Sequence, residues 1–573
     1  MLIGVTVMPG YAIGRAHVIK KHIEIDQTPL QESETADELE LYEHALKVTK
    51  EQLDNIYETA RQNLSGEDAE IFAVHRAFLD DEEINKGIRE YIEIQKMQAS
   101  EAIKSVISNY TKLFDMMEDE YLRARKNDLI EVYDNLINTF QQIKYNGSIS
   151  DRRENLSGIL VTHELMASDL LNTGSEFIKG IIAERGNDTA HSSIVCRSLG
   201  IPYIYGVENA VEKIKEDDMI VLDAFKGIVY INPEESVIKE HTDMLEEHTE
   251  KLKRLRKLVN VPAQTFDGMP LHLYGNAASA EEVASVLENG GEGIGLFRTE
   301  FLFMQNNQIP TEQEQYEVYS EAAKILDGKC LTIRTLDVGG DKDIPYLGLE
   351  KEDNAFLGTR GIRYSFEQEP LLKSQLRAVL RASIQGNIRI MFPMVATIEE
   401  IYKIKEILND VKNELKSESI SFDENIKFGV MIEVPSLAVI ADLVLKEVDF
   451  VSIGTNDLTQ YIMAADRTNN KLRYLTHDCS PALVRLIKFI ICEGEKQNKD
   501  VSICGEMAGV IEYVPLLVGL GLKNFSAASS SLLPVKEIMR AKSMDFCLSV
   551  AGQVQKCNTS MAIEELLRSK ETK

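Results

Sequence analysis

Two acidic residues of this 573-residue chain each follow a short apolar run in its C-terminal half. Glu433 comes directly after the apolar run at 428–432, and Asp457 comes four residues after the run at 450–453. Mg²⁺ typically takes one or two carboxylates and fills its other positions with water and substrate oxygens. Either acid alone could equally cap a helix or support a neighbouring ligand. That the two together bind magnesium is therefore a hypothesis.

Four arginines of the same half, Arg298, Arg334, Arg360 and Arg467, suggest an anionic ligand. A guanidinium group is always charged, and it binds phosphate or carboxylate through two parallel hydrogen bonds. A single arginine is usually a solvated surface residue. Several arginines gathered at one site would instead predict that the site binds a small polyanion rather than a sugar.

One histidine stands in a loop of a type that suits phosphoryl chemistry. His191 ends the run GNDTAH at 186–191 and precedes a helix-favouring stretch. At a helix N-terminus, backbone N–H groups stabilise a phosphoryl group, and neutral imidazole is an effective nucleophile near pH 7. A loop histidine is more often structural, so both interpretations stay open. Cys504, which follows the run at 501–503, is by itself best interpreted as a small core residue.

The last 310 residues or so repeat one theme that would position these side chains, a short apolar strand, a polar loop and then a helix. Eight such strands predict a (β/α)₈ barrel, in which chemistry lies at the C-terminal ends of the strands. Polar residues follow five of the eight. An open doubly wound sheet is the alternative. The predicted strands are 271–274, 293–297, 330–333, 388–392, 428–432, 450–453, 501–504 and 524–527.

The sequence before the barrel predicts a small α/β domain with a helical insertion. Residues 1–22 and 146–233 alternate strand and helix signals, whereas 23–145 has apolar residues at steps of three and four, as in a helical bundle. Residues 234–262 are polar and helix-favouring, which predicts a linker helix that acts as a hinge. The barrel would then occupy 263–573.

Composition and charge limit the compartment and the partners. The net charge of −29 disfavours nucleic acid and anionic membranes as partners, because both bind basic surfaces. The segment 23–145 carries 28 acidic against 13 basic residues, which either aids solubility or steers a basic protein partner. No apolar stretch is long enough to span a membrane, and seven cysteines do not suggest a disulfide framework. We expect a cytoplasmic protein.

Three runs of the barrel half resemble those of phosphoenolpyruvate-utilising enzymes. They are GIGLFRTEFLFM at 293–304, RTLDVGGDK at 334–342 and DFVSIGTNDLTQY at 449–461, the last leading to Arg467. With Thr189 and His191 upstream in the same order, essentially the whole chain resembles the enzyme I family of the bacterial phosphoenolpyruvate:sugar phosphotransferase system. The barrel runs are highly specific for this group.

The resemblance implies a role for each matched position. His191 would carry the phosphoryl group, Glu433 and Asp457 would ligate Mg²⁺, and Cys504 would protonate the enolpyruvate carbon to give pyruvate. The helical insertion would dock the phosphocarrier protein HPr, with Arg125 and Thr189 helping to position the histidine. The barrel would also form a homodimer. The substrate phosphoenolpyruvate would be held by Arg298, Arg334, Lys342, Arg360, Asn456 and Arg467.

The histidine loop departs from the family pattern. Asn187 and Ala190 replace the second Gly and the Ser of the family's Gly-Gly-x-Thr-Ser-His, and an acid, Asp188, stands at its variable position. Leu170 stands where the family usually has a threonine. A regulatory paralogue with weak phosphotransfer is therefore an alternative. A pyruvate phosphate dikinase-like enzyme shares the histidine and the barrel runs, but the 190 residues before His191 leave no room for a large nucleotide-binding domain.

Overall fold

The computed structural model of the protein describes residues 1–19, 28–63, 75–115, 120–146, 158–165, 178–186, 193, 196, 200–304, 308–339, 344–349, 352–467, 469–472, 474–476 and 479–571. The chain divides into two compact units, Met1–Glu250 and Lys251–Lys573. Among the described residues, no helix combines the length and apolarity that crossing a bilayer requires. In the same part of the chain, none of the cysteines forms a disulfide.

An eight-stranded mixed sheet forms the centre of the first unit. Across the sheet the order is β1-β8-β7-β3-β4-β5-β6-β2, and β3, β4, β5 and β6 are parallel neighbours. Strands from before residue 20 therefore pair with strands from after residue 157. The strands are β1 Leu2–Ile3, β2 Val5–Met8, β3 Tyr11–Ile19, β4 Gly158–Glu164, β5 Ile178–Arg185, β6 Tyr203–Tyr205, β7 Met219–Asp223 and β8 Ile228–Ile231.

The central strands of this sheet are apolar on both faces. In β4, Ile159 and Val161 belong to one hydrophobic cluster, whereas Leu160 between them belongs to another. Successive side chains of a strand point to opposite faces, so a strand covered on both sides has a continuous apolar run. Strand β6 begins at Tyr203, directly after Pro202, which has no N–H to donate to a ladder.

Long helices form the region between β3 and β4. Tyr42, Leu46 and Leu53 of the first helix are buried, as their spacing predicts, and pack in one core with residues of the other helices. Asp81 caps one helix by accepting hydrogen bonds from the backbone N–H groups of Glu83 and Ile84. The helices are Thr35–Asn63, Glu82–Glu93, Ala99–Asp115 and Glu120–Asn146; Ala210–Lys213 and Glu235–Arg256 follow later in the chain.

The second unit contains a closed barrel of eight parallel strands, which confirms the predicted fold and excludes an open sheet. Every predicted strand is present, in order around the barrel, and the first strand pairs with the last. The eight strands are β9 His272–Ala277, β10 Gly293–Arg298, β11 Cys330–Arg334, β12 Asn387–Phe392, β13 Lys427–Ile432, β14 Phe450–Ile453, β15 Asp500–Ile503 and β16 Asn524–Ala528.

Helices cover the barrel and begin at well-defined caps. Thr311 and Thr397 each accept a hydrogen bond from a glutamate N–H three residues later, and that glutamate bonds back to the threonine N–H. The α-helices of this unit are Ala280–Glu288, Glu300–Met304, Glu312–Leu326, Ile362–Glu367, Glu369–Ala382, Ile398–Ser417, Pro435–Val439, Ala441–Glu447, Thr455–Met463, Pro481–Lys496, Val514–Gly519, Ser529–Ala541, Met544–Val554 and Ser560–Glu571.

The helix predicted as a linker spans Glu235–Arg256, and the division between the two units falls within it. The predicted boundaries at 22, 145, 233 and 262, and the hinge, stay predictions.

Candidate active site

The C-terminal ends of the barrel strands bring the predicted polar residues together. Arg298 and Arg334 are the last residues of β10 and β11, and Glu433 and Cys504 directly follow β13 and β15. Asp457 lies in the first turn of the helix that follows β14. In a barrel of parallel strands these ends surround one mouth, so residues far apart in sequence become neighbours.

Arg334 is buried between two carboxylates. Its Nη2 donates to Glu300 Oε1 at 2.9 Å, and its Nη1 lies 3.3 Å from Asp337 Oδ2. Glu300 Oε1 also accepts the backbone N–H of Asp337 at 2.9 Å. Burial opposes the charge of a guanidinium group, yet Glu300 and Asp337 raise the pKa of Arg334 above its ordinary value. Arg334 is therefore a fixed positive charge.

Arg360 is more deeply buried, with 1% of its surface exposed, and it joins two acids. Its Nε and Nη2 donate to Asp337 at 3.1 Å each, while Nη1 and Nη2 donate to Asp457 at 2.9 and 3.1 Å. Burial again opposes the charge, and the two acids raise the pKa of Arg360. Gly339 allows this arrangement: its φ is +106°, and a Cβ there would lie 2.6 Å from the carbonyl oxygen of Thr359.

Glu433 is the acid without a guanidinium partner among the described residues. Its Oε1 accepts the backbone N–H of Met394 at 2.6 Å. Burial, followed by the charges of Asp457 and Asp337, raises the pKa of Glu433 to about 8. A Cβ at Gly454 would lie 2.8 Å from Glu433 Oε2, so the backbone passes close to this carboxylate. The repulsion indicates that Glu433 and Asp457 face a common region.

The charges buried at this mouth fit a divalent cation. Among the described residues of the mouth, the buried carboxyl groups outnumber the buried guanidinium groups by four to two; the six residues are Glu300, Asp337, Glu433, Asp457, Arg334 and Arg360. Among the described residues, no three His, Cys, Asp or Glu side chains form a metal cage by themselves. Mg²⁺ needs no such cage, because it takes one or two carboxylates together with substrate oxygens and water. The residues fit Mg²⁺.

Cys504 lies at the floor of the mouth, with Met431 and Phe450 in the same apolar cluster. Burial raises the pKa of the Cys504 thiol to about 11, against a lowering by Ser452 and by the charges of Arg334 and Arg298. The thiol is therefore protonated at neutral pH. Asn276 Nδ2 holds the backbone carbonyl of Cys504 at 3.1 Å, and Ser526 Oγ donates to Asn276 Oδ1 at 2.6 Å. A buried, protonated thiol can act as an acid.

The remaining predicted ligands are more accessible. Arg298 and Arg467 have exposed side chains. Asn456 Nδ2 donates to Glu506 Oε1 at 2.8 Å, and Asn456 Oδ1 accepts the backbone N–H of Glu506 at 3.0 Å. This reciprocal pair holds the loops after β14 and β15 together. Exposed donors above buried ion pairs suit an anion that enters from solvent.

Several predicted residues lie outside the described part of the chain. His191, Thr189 and Lys342 are not among the described residues, nor are Asn187, Asp188, Ala190 and Leu170. Arg125 belongs to the helix Glu120–Asn146, but its side chain is not described. The roles predicted for these residues stay predictions.

Asp337 and Glu300 are the residues that sequence reasoning left without a role. Asp337 is wholly buried and contacts both buried arginines, and Glu300 fixes Arg334. Both follow strand ends in the runs that resemble phosphoenolpyruvate-utilising enzymes, which was the signal for them. Asp337 lies only three residues from Arg334, but Arg360 is 23 residues from Asp337 and Arg334 is 34 residues from Glu300, so no local pattern reveals these two pairings.

Models of three families of phosphoenolpyruvate-utilising enzyme match the chain. The PEP-binding domain matches residues 252–544, the N-terminal domain residues 3–125 and the mobile domain residues 156–227. A phosphoenolpyruvate-protein phosphotransferase of Buchnera aphidicola subsp. Schizaphis graminum is 39% identical over 99% of each chain. Another, from Staphylococcus aureus strain MSSA476, is 37% identical over 99% of this chain and 98% of the relative.

A solved NMR structure of an Enzyme I protein is 29% identical to this chain. It covers 44% of this chain and 100% of its own, with a TM-score of 0.36.

Proposed function

The chain belongs to the phosphoenolpyruvate-protein phosphotransferases within the phosphoenolpyruvate-utilising enzymes, and from this membership we propose how its residues divide the work. The phosphoryl group leaves phosphoenolpyruvate at the barrel mouth and is taken up by His191, which then passes it to the carrier protein HPr. The buried cluster in which four carboxyl groups surround two guanidinium groups, beside exposed arginines, is the observation that carries the barrel part of this proposal.

At the barrel mouth, the anionic substrate would be held by the guanidinium groups and by Asn456. Arg334 and Arg360 keep their charge at every physiological pH, and carboxylates hold both guanidinium groups at the mouth. Arg298 and Arg467 would contact the substrate from the exposed side, with Lys342 as a further cation. Oriented positive charge lowers the barrier to phosphoryl transfer chiefly by positioning and electrostatic stabilisation.

Glu433 and Asp457 would hold Mg²⁺. When bound, this cation would neutralise charge on the phosphoryl group in transfer. The raised pKa of Glu433 supports this assignment, since a carboxylate repelled by its neighbours is one that a cation would stabilise.

Cys504 would supply the proton that completes the reaction. As the bond between phosphorus and the enol oxygen breaks, a bond between phosphorus and an imidazole nitrogen of His191 forms. The enolate left behind takes a proton at carbon from the Cys504 thiol and becomes pyruvate. The buried position and raised pKa of the thiol support this role, because they keep the proton in place until an enolate is formed.

The family resemblance also supports a homodimer formed through the barrel and an acidic helical region that receives HPr, with Arg125 and Thr189 near the acceptor histidine. A cytoplasmic location is supported by the absence of disulfides among the described residues. Sedimentation of the full chain tests the dimer, and cross-linking to HPr with and without the segment 23–145 tests the docking region.

Labelled phosphoenolpyruvate tests the central proposal. The full chain is incubated with it in the presence of Mg²⁺ and HPr, and the same is done with His191→Ala. We expect label on the wild type and on HPr, and this label should be acid-labile because phosphohistidine is lost in acid. The variant should carry no label, because it lacks the acceptor histidine. Label that requires ATP would favour a dikinase-like enzyme. Absence of label on the wild type would favour a regulatory paralogue.

A further inference from the structure

The guanidinium group of Arg360 covers the acid that is the proposed metal ligand. Nη1 and Nη2 of Arg360 donate one hydrogen bond to each carboxylate oxygen of Asp457, at 2.9 and 3.1 Å. Both oxygens that would face a cation therefore already have a positive partner. The contact is almost completely removed from solvent, since Arg360 is 1% and Asp457 is 8% exposed. A divalent cation that approaches Asp457 meets a like charge in direct contact with its ligand.

A second carboxylate holds the same guanidinium group from the other side. Asp337 accepts hydrogen bonds from Nε and Nη2 of Arg360, each at 3.1 Å. Asp337 is itself fixed, because its backbone N–H donates to Glu300 Oε1 at 2.9 Å and its side chain lies 3.3 Å from Arg334. Arg360 can thus lose its contacts with Asp457 and still keep two hydrogen bonds and a neutralising charge.

We propose that Arg360 is the resident counter-cation of Asp457, which a divalent cation displaces, and that Asp337 is the positioning residue that retains the released guanidinium group at the mouth. This inference rests on the proposed function of the site. Displacement frees the Nη1 donor of Arg360 for an anionic ligand. The chemistry that fits such a freed donor, beside the cation, is a phosphate oxygen.

The exchange makes cation and anion binding mutually supportive. In the cation-free site, two N–H donors of Arg360 are bonded to Asp457 and are not available to phosphate. Cation binding releases them, so each ligand increases the affinity of the site for the other by the same factor. A purely structural salt bridge would give no such coupling through Arg360, because it would stay closed whichever ligand is bound.

Binding of Mn²⁺ alone to the full chain tests the exchange, with free Mn²⁺ measured by electron paramagnetic resonance. Arg360→Lys keeps the positive charge but cannot bond both oxygens of Asp457. We expect it to bind Mn²⁺ about tenfold more tightly than the wild type, because one charge-assisted hydrogen bond is lost from the competing contact. Arg389→Lys, at the opposite end of the barrel, is the matched control and leaves Mn²⁺ affinity unchanged. Equal or weaker affinity in Arg360→Lys overturns the proposal.

Inorganic phosphate tests the coupling in the same assay. Phosphate should increase the Mn²⁺ affinity of the wild type severalfold, and this increase should be lost in Arg360→Lys. An unaltered phosphate effect in the variant contradicts the release of Arg360.

A structure of the wild-type chain with Mn²⁺ and no substrate keeps the inference testable if the variant does not fold. Arg360 should then lie more than about 3.5 Å from both oxygens of Asp457 while its bonds to Asp337 persist. Retention of both bonds to a cation-bound Asp457 overturns the exchange. The labelling of His191 by phosphoenolpyruvate is measured separately, so normal labelling without the Mn²⁺ effect rejects this inference alone, and the Mn²⁺ effect without labelling rejects the proposed function alone.

Discussion

The two ends of the barrel both contain a guanidinium group beside a carboxylate, but the two arrangements differ in charge balance. At the N-terminal end, Arg389 lies 5.5 Å from the ring centre of Phe450 and 3.6 Å from Asp500. Its partner is 60% exposed, so water screens the pair. At the C-terminal end, Arg334 and Arg360 lie among four buried carboxylates, two more than they neutralise.

The two arrangements suit different roles. A single pair with a carboxylate open to water contributes little to stability. A buried cluster in which carboxyl groups outnumber guanidinium groups is a poor way to stabilise a fold, because the cost of desolvating the charges exceeds the energy of their ion pairs. Such a cluster makes sense where a cation and an anion complete it. The same residue type therefore has a structural role at one end of the barrel and a binding role at the other.

Replacement of one arginine at each end of the barrel should give the largest difference, which is a difference in the free energy of unfolding. Arg334→Gln leaves Glu300 and Asp337 with an uncompensated buried charge, and we expect a loss of about 3–5 kcal/mol in the free energy of unfolding. Arg389→Gln should lose no more than about 1 kcal/mol. Urea unfolding of both variants measures the difference. Equal losses would mean that the two ends do not differ in the way proposed.

Replacement of one buried thiol tests whether the rate of pyruvate formation depends on a thiol at the barrel mouth or only on packing. Cys504→Ala removes the proposed proton donor, and the rate of pyruvate formation should fall about 10²-fold. Cys547 is the matched control, because burial raises its pKa to about 11 as well, yet it lies in the outer helix Met544–Val554. Cys547→Ala should leave the rate unchanged. A similar fall in both variants would assign the effect to packing.

The pH dependence of stability tests the excess charge. Because the folded protein holds the pKa of Glu433 at about 8, above its usual 4.5, the protonated form stabilises the fold at low pH and this contribution is lost as pH rises toward 8. In the presence of a chelator, the free energy of unfolding should therefore decrease between about pH 4.5 and 8. Glu433→Gln should flatten that slope.

Glu418 provides the control for this slope. Its hydrogen bond with Arg377 lowers the pKa of Glu418, so its titration lies below that window. Glu418→Gln should keep the wild-type slope. A steep slope that persists in Glu433→Gln would show that another group titrates.

A smaller effect should come from the rim of the mouth. Asn456→Ala removes both hydrogen bonds to Glu506, and we expect the KM for phosphoenolpyruvate to rise up to about tenfold. Asn524, which donates to the carbonyl oxygen of Val501 at 3.2 Å at the opposite end, is the control. Asn524→Ala should leave KM unchanged. A change in kcat alone for Asn456→Ala would contradict a role in holding substrate.

The barrel could be predicted well because its signals are local. Each strand is a short apolar run, and the polar residue that follows, such as Glu433 after β13, marks its C-terminal end. Parallel strands must place those ends together, so Arg334, Glu433 and Cys504 could be assigned to one mouth before any coordinate was known. In the first unit, the alternation of strands and helices was predicted, but the strand β8 Ile228–Ile231 and the order of the strands in the sheet were not.

The sequence by itself determined which side chains reach the barrel mouth, since strand periodicity and strand ends are encoded within a few residues. Only the tertiary structure decided which of them pair. Arg360 and Asp457 are 97 residues apart, and Asp337 joins Arg334 to Arg360, which lies 23 residues further along the chain. Electrostatic partners depend on distance and burial in three dimensions, and the charge left unbalanced among Glu433 and its neighbours is a property of the assembled cluster rather than of any segment.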